Sequence, residues 1–311
     1  MTATHELHWP IENATGEPPS AADLTVAGSN ILLDLHGDPT RARLVVFSDG
    51  NHHMALEESL RAFLRTCPDC QDIFYATTPP RIIVEALKSG VLSSGNLRLQ
   101  CRAHVFVSPE DVLEKLHRQG LVARPTPFMR SDGLALLYRR ENPAEIDSPQ
   151  DLLRTDLRLA LSNPVTESAS FSVYERAVLA VAQRSGEDPE AVRQRLHGDT
   201  VPKSRLIHHR EIPALIAADR ADLSLVYRHL ALRYTRIFPE LFSHRVIEPA
   251  LLEAAGCISH YHVALVGDGG PYGRGLLEFL RSDVVADIYR SHALATPESV
   301  PADRGEHRAR E

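Results

Sequence analysis

The segment VVFSDGNHHM, Val45 to Met54, places a Ser-Asp-Gly-Asn turn and two adjacent histidines directly after an apolar run. A few residues upstream, DLHGD (Asp34 to Asp38) adds another histidine among carboxylates. Hydroxyl, amide, carboxylate and imidazole groups in this order suit two kinds of chemistry. One is metal-assisted hydrolysis, with His and Asp as ligands. The other is a loop that holds a small ligand and leaves it unchanged.

The hydrolytic reading has a concrete form. Asp34, His36, Asn51 and His52, with the later SHYH (Ser259 to His262), resemble scattered pieces of the calcineurin-like metallophosphoesterases. Those enzymes need Gly-Asp-x-x-Asp, with its own strand and helix, between the first His and the Asn-His. The interval from Asp34 to Asn51 is too short for it, and SHYH lacks the preceding Gly. His52, His53 and His209 stay weak metal candidates. No Gly-x-Ser-x-Gly elbow, phosphate-loop lysine motif or His-Glu-x-x-His is present, and GDGGPYGRG (Gly267 to Gly275) lacks dinucleotide-fingerprint spacing. Cys67-Pro-Asp-Cys70 is a C-x-x-C, but it follows a helix predicted over Met54–Arg65. A redox pair belongs at a helix N-terminus, where the dipole lowers a thiol pKa.

The elements that must position these residues alternate. RLVVFSD, DIFYATT and AHVFVS are short apolar runs of the kind buried on both faces of a sheet, each followed by a helical pattern. Repeated βα units imply parallel-type sheets with right-handed crossovers. Further strands are expected at GLALLYRR, LRLALSNP, ADLSLVY and YHVALVG, with SRLIHH leading into the helix REIPALIAAD, and a helix pair around GRGLLEFLRSDVVADIYRSH closes the pattern. In such sheets ligands bind beyond the carboxyl ends of strands. Those ends carry Ser48, Asp49 and Asn51; Thr77 and Thr78; Ser162 and Asn163 with Thr166 and Ser168; and Tyr227. Free amides and the helix dipole there favour an anion, although Ser, Thr or Asn before a helix is most often a simple N-cap.

The chain has 311 residues, enough for two ordinary domains, and its 43% hydrophobic content supplies a core. A formal net charge of −7 argues against a general nucleic-acid binder, and no cofactor is expected. No apolar run reaches the roughly 20 residues of a membrane span, and the first residues lack the pattern of a signal peptide. The expectation for the chain as written is therefore cytoplasmic, or periplasmic if the true N-terminus is missing.

Five stretches resemble the type II periplasmic solute-binding proteins of ABC transporters, in particular the molybdate/tungstate-binding group. They are LVVFSDGNHHMALEESLRAFLRTCP, IFYATTPPRIIVEALKSG, ALSNPVTESASFSVYERAVL, IPALIAADRADLSLVYRHLAL and LLEFLRSDVVADIYRSHAL. The resemblance implies an α/β fold of two Rossmann-like lobes joined by two hinge crossings, near LALLYRR and GCISHYHVALV. Lobe one would be 39–138 with 256–294 and lobe two 139–255, flanked by an N-terminal arm (1–38) and a disordered tail (295–311). It implies a monomer that performs no chemistry, binds a molybdate- or tungstate-like oxyanion in the interlobe cleft, and passes it to a membrane permease. Matched to the family's pattern, Ser48 and Asn51 come from the first loop, Thr77 or Thr78 from the second, and backbone amides around Thr166 to Ser168 from the third. Tyr227 matches the family's ligand-bonding tyrosine. Asp49, His52, His53, His208 and His209 depart from a simple oxyanion pocket. His208 and Arg210 are read as charge-bearing additions, with Arg130 a weaker candidate. A cytosolic sensor of the same fold is a further alternative.

Overall fold

The computed structural model describes residues 34–78, 80–94, 96–205 and 208–297. The arm before residue 34 and the tail after 297 lie outside the described residues, as does the side chain of Arg210. The first half runs β1 (Leu35–His36), β2 (Leu44–Ser48), α1 (His53–Thr66), β3 (Ile73–Ala76), α2 (Pro80–Ser89), the hairpin β4 (Val91–Ser94) and β5 (Leu97–Gln100), β6 (Val105–Pro109), α3 (Glu110–Arg118) and β7 (Thr126–Ser131). Then follow β8 (Leu134–Arg139), β9 (Leu159–Ala160), α4 (Ser168–Ser185), α5 (Pro189–His197), α6 (His208–Ala217), β10 (Leu223–Tyr227), α7 (Arg228–Ile237), β11 (Phe242–Val246) and α8 (Pro249–Ala254). The last elements are β12 (His260–Leu265), α9 (Gly270–Leu280), α10 (Asp283–Ser291) and β13 (Leu294–Ala295).

Two lobes result, each built on one sheet. The larger has the order β1-β3-β2-β6-β12-β7-β13, the smaller β11-β8-β10-β9. β2 lies parallel to β3 and β6, as the apolar runs imply. Successive side chains of a strand point to opposite faces. Accordingly Leu44 and Val46 pack with α1, α9 and α10, whereas Val45 and Phe47 pack against the α2 and α3 side. That is why these strands read as unbroken hydrophobic runs.

The sheets are mixed rather than purely parallel. β12 returns antiparallel to both β6 and β7, and β8 is antiparallel to β10 and β11. The cause is connectivity: each passage between lobes brings the chain back without a crossover helix. β8 is a central strand of the smaller sheet, so the first passage falls at Asp132-Gly133, ahead of the boundary after residue 138 expected from the sequence. Gly133 sits there at φ +91°, a conformation that side-chain-bearing residues rarely adopt, and its carbonyl accepts from the Arg228 amide at 3.0 Å. The second passage runs through Cys257 to Ser259 into β12.

The lobes are in contact in the described conformation. Met54, at the start of α1 in the first lobe, packs within the core of the second. The rings of His53 and His209 stand 6.5 Å apart across the cleft. Arg236 of α7 donates to the Ser291 carbonyl at 2.9 Å.

Candidate functional site

The first loop is held by its own polar groups. Asp49 caps a short 3-10 turn, Gly50–His52, and accepts from the Asn51 amide at 3.2 Å. Gly50 is required here, because a Cβ would lie 2.4 Å from the Thr77 carbonyl oxygen. Ser48 Oγ donates to the Asp49 carbonyl (3.0 Å), so it accepts from His52 Nε2 (3.0 Å), and Tyr289 donates to His52 Nδ1 (2.9 Å). Both nitrogens of His52 are therefore used inside the first lobe. Asn51 Nδ2 donates to the Tyr261 hydroxyl at 3.3 Å. His53 donates from Nδ1 to the Gly50 carbonyl at 2.9 Å.

At the end of β3, Thr77 Oγ1 meets His36 Nε2 at 3.1 Å, and the His36 ring stacks on Tyr75. Thr78 is fully buried and its hydroxyl has no partner among the described residues. Ser108, at the end of β6, is in the same condition. His36, Asn51 and His52 thus each have a polar partner within the first lobe. Asp34 is buried and its carbonyl accepts from the Thr77 amide at 2.8 Å. Among the described residues no group of three or more His, Cys, Asp or Glu side chains could hold a metal ion.

The second lobe presents Tyr227 at the junction of β10 and α7, its hydroxyl 3.2 Å from Ser259 Oγ on the second passage. Tyr174 packs against both Tyr227 (5.5 Å) and His208 (5.0 Å), and His229 stacks on Tyr227 (5.4 Å). His208 opens α6, and its Nε2 is buried without a partner among the described residues. Ser162 Oγ, just past β9, is likewise buried and unpartnered. Thr166 and Ser168 are exposed. The amides of Val165 and Thr166 donate to Asn163 Oδ1 at 2.8 and 3.2 Å, and the Glu167 amide donates to the Asn163 carbonyl at 2.9 Å. Arg130 pairs with Glu253 at 3.3 Å.

Burial governs the charges. It pushes Asp49 up to about 6 and holds His52, His208 and His229 down at about 3, so all three imidazoles are neutral at ordinary pH. For His208, expected to bear charge, burial thus favours the neutral ring. Burial also raises Glu167 above its ordinary value. Cys70 is pushed up to about 11 by burial, the opposite of an activated thiol, and both Cys67 and Cys70 are free.

Sequence reasoning missed Ser108, Glu167 and His229. Ser108 precedes Pro109 and an acidic helix start, the same strand-end signal that marked Ser48. His229 lies two residues past Tyr227, in the first turn of α7. Glu167 carried no signal of its own.

Residues 44–293 match the family model of the bacterial extracellular solute-binding proteins. No curated protein matches the chain. Solved structures of the same fold include the periplasmic molybdate-binding protein of Azotobacter vinelandii (16% identity, TM-score 0.58, 82% of this chain and 100% of that one). The sulfate-binding protein SubI of Mycobacterium tuberculosis H37Rv is similar at 13% identity, with a TM-score of 0.59 over 82% of this chain and 87% of that one. Iron-bound HitA of Pseudomonas aeruginosa is similar at 13% identity, with a TM-score of 0.55 over 84% and 89%.

Proposed function

The chain belongs to the bacterial extracellular solute-binding protein family, and from that premise we propose that it captures a small oxyanion between its lobes for an ABC transporter. The observation that carries this reading is a set of buried donors without partners among the described residues, at strand ends and helix starts of both lobes. Thr78 Oγ1 and Ser108 Oγ come from one side, Ser162 Oγ and His208 Nε2 from the other. A buried polar group left unpaired costs about 1–3 kcal/mol, so a ligand that satisfies several at once gains by closing the lobes on itself. Hydroxyls and neutral imidazoles donate to an oxyanion without needing a counter-charge. Molybdate and tungstate are the first candidates, supported by the similarity to a molybdate-binding protein, with sulfate beside them.

The ligand would favour the closed form only through its higher affinity for that form. The permease is the partner this role requires, and a location outside the cytoplasm goes with the family description. No described helix is long and apolar enough to cross a membrane. A metal cargo, as in iron-bound HitA, is the competing reading.

Thermal unfolding of metal-stripped protein with molybdate, tungstate, sulfate, phosphate, Zn²⁺ or Mn²⁺, each alone, tests this. Ligand at about 100 times its dissociation constant adds about 2.7 kcal/mol. A rise with one or more oxyanions and none with the metals is the expected result. A rise with metals alone would overturn the reading.

A further inference from the structure

We infer that the carboxylate of Glu167 occupies an anion seat at the amino end of α6, and that it sets how strongly the cleft holds an oxyanion. The inference rests on the oxyanion reading and adds to it the residue that limits affinity.

The seat is built like a ligand's. The His208 amide, the first of the ten-residue helix α6, lies 2.9 Å from each oxygen of Glu167. Ser204 Oγ donates to the same carboxylate at 2.6 Å. Ser204 is itself fixed at the end of β9: its amide donates to the Leu161 carbonyl (3.0 Å) and its hydroxyl accepts from the Asn163 amide (3.0 Å). A helix amino terminus with an adjacent hydroxyl is the arrangement that binds phosphate and sulfate groups. Here the protein's own side chain fills it.

A second observation joins this seat to the cleft. The buried His208 Nε2 has no partner among the described residues, and the His208 ring packs on Tyr174, which packs in turn on Tyr227. Ser162, two residues beyond β9, adds another buried hydroxyl without a partner. An incoming dianion must therefore displace the Glu167 carboxylate or settle near it against like-charge repulsion. Repulsion between unit charges a few ångströms apart remains large at the effective dielectric of a protein. Glu211, whose carboxylate accepts from the Arg205 amide at 2.6 Å, adds a second negative charge in the neighbourhood.

The test is calorimetric titration of wild type, Glu167→Gln and Glu167→Ala with molybdate and with sulfate. Glutamine keeps the shape and an acceptor oxygen for the His208 amide but removes the charge. Glu187→Gln, which removes an exposed charge of the same lobe, is the control. Glu167→Gln should bind the better of the two anions at least about tenfold more tightly than wild type, with no such gain in the control. In Glu167→Ala the seat is open to any small carboxylate, so excess acetate should compete with the oxyanion there and not in wild type. Affinity in Glu167→Gln equal to or below wild type, or acetate competition equal in both proteins, overturns the inference. If wild type binds an anion and Glu167→Gln gains nothing, only this inference falls. If no variant binds any oxyanion, the proposed function falls with it.

Discussion

Lowering the pH from about 7.5 to about 5 should destabilise the ligand-free protein strongly, and the size follows from three buried imidazoles. His52, His208 and His229 are each held neutral by burial at about 3, against about 6.5 in the unfolded chain. In that window the unfolded state binds protons that the folded state refuses, so stability falls as pH falls. Each histidine then costs about 2 kcal/mol at pH 5, together about 6 kcal/mol. Asp49 works in the opposite direction. Its folded value of about 6 lies above the ordinary carboxylate value, so the folded state takes up a proton first and regains about 1 kcal/mol over the same window. For these four groups the net loss is about 4–5 kcal/mol, a large share of the roughly 5–15 kcal/mol typical of folded domains, and His53, which burial also holds well below its ordinary value, adds to it in the same direction. Urea unfolding followed by circular dichroism at the two pH values measures it. His208→Gln should shrink the pH-dependent loss by about 2 kcal/mol, because one proton-refusing site is gone. Equal stability at both pH values would refute the reasoning, since it would mean that these rings are charged or solvated in the folded protein.

Three substitutions probe the cleft directly. Tyr227→Phe removes a hydroxyl at the meeting of the lobes and should weaken oxyanion binding by about 1–2 kcal/mol in a calorimetric titration; unchanged affinity takes Tyr227 out of the ligand's contacts. Thr78→Val removes a buried hydroxyl that has no protein partner. It should raise the stability of the ligand-free protein by up to about 1 kcal/mol while lowering oxyanion affinity, and a loss in both would show that the hydroxyl is structural. Gly50→Ala sets a methyl 2.4 Å from the Thr77 carbonyl oxygen, and the backbone must move to relieve it. A stability cost of about 1–3 kcal/mol, seen in urea unfolding, should accompany a loss of binding; a neutral result would mean that this loop shifts freely.

Much of the architecture was legible because it is local. β2, β3 and β6 are continuous apolar runs whose alternate residues enter two different cores, and each ends in hydroxyl or carboxamide residues before a helix. The elements not anticipated are those without such a run. β7 (Thr126–Ser131) and β11 (Phe242–Val246) mix buried with half-exposed positions, and β11 lies at the edge of its sheet, so neither shows the hydrophobic signal of a central strand. α5 likewise buries only Leu196 and has no apolar stripe to announce it, although Asp188 caps it, accepting from the Glu190 amide at 3.0 Å, and Pro189 opens it.

The sequence by itself determined the alternation of strands and helices and the polar character of the strand ends, because periodicity and turn chemistry act over a few residues; the two-lobed class came with the family resemblance. Only the tertiary structure decided which of the buried polar groups find distant partners. Glu167 takes the amide of His208 and the hydroxyl of Ser204, and Tyr289 takes a nitrogen of His52 from 237 residues away. Thr78, Ser108, Ser162 and His208 keep unspent donors. Whether a buried donor has a partner depends on which distant segments the sheet order brings beside it, and residue type and spacing carry no record of that.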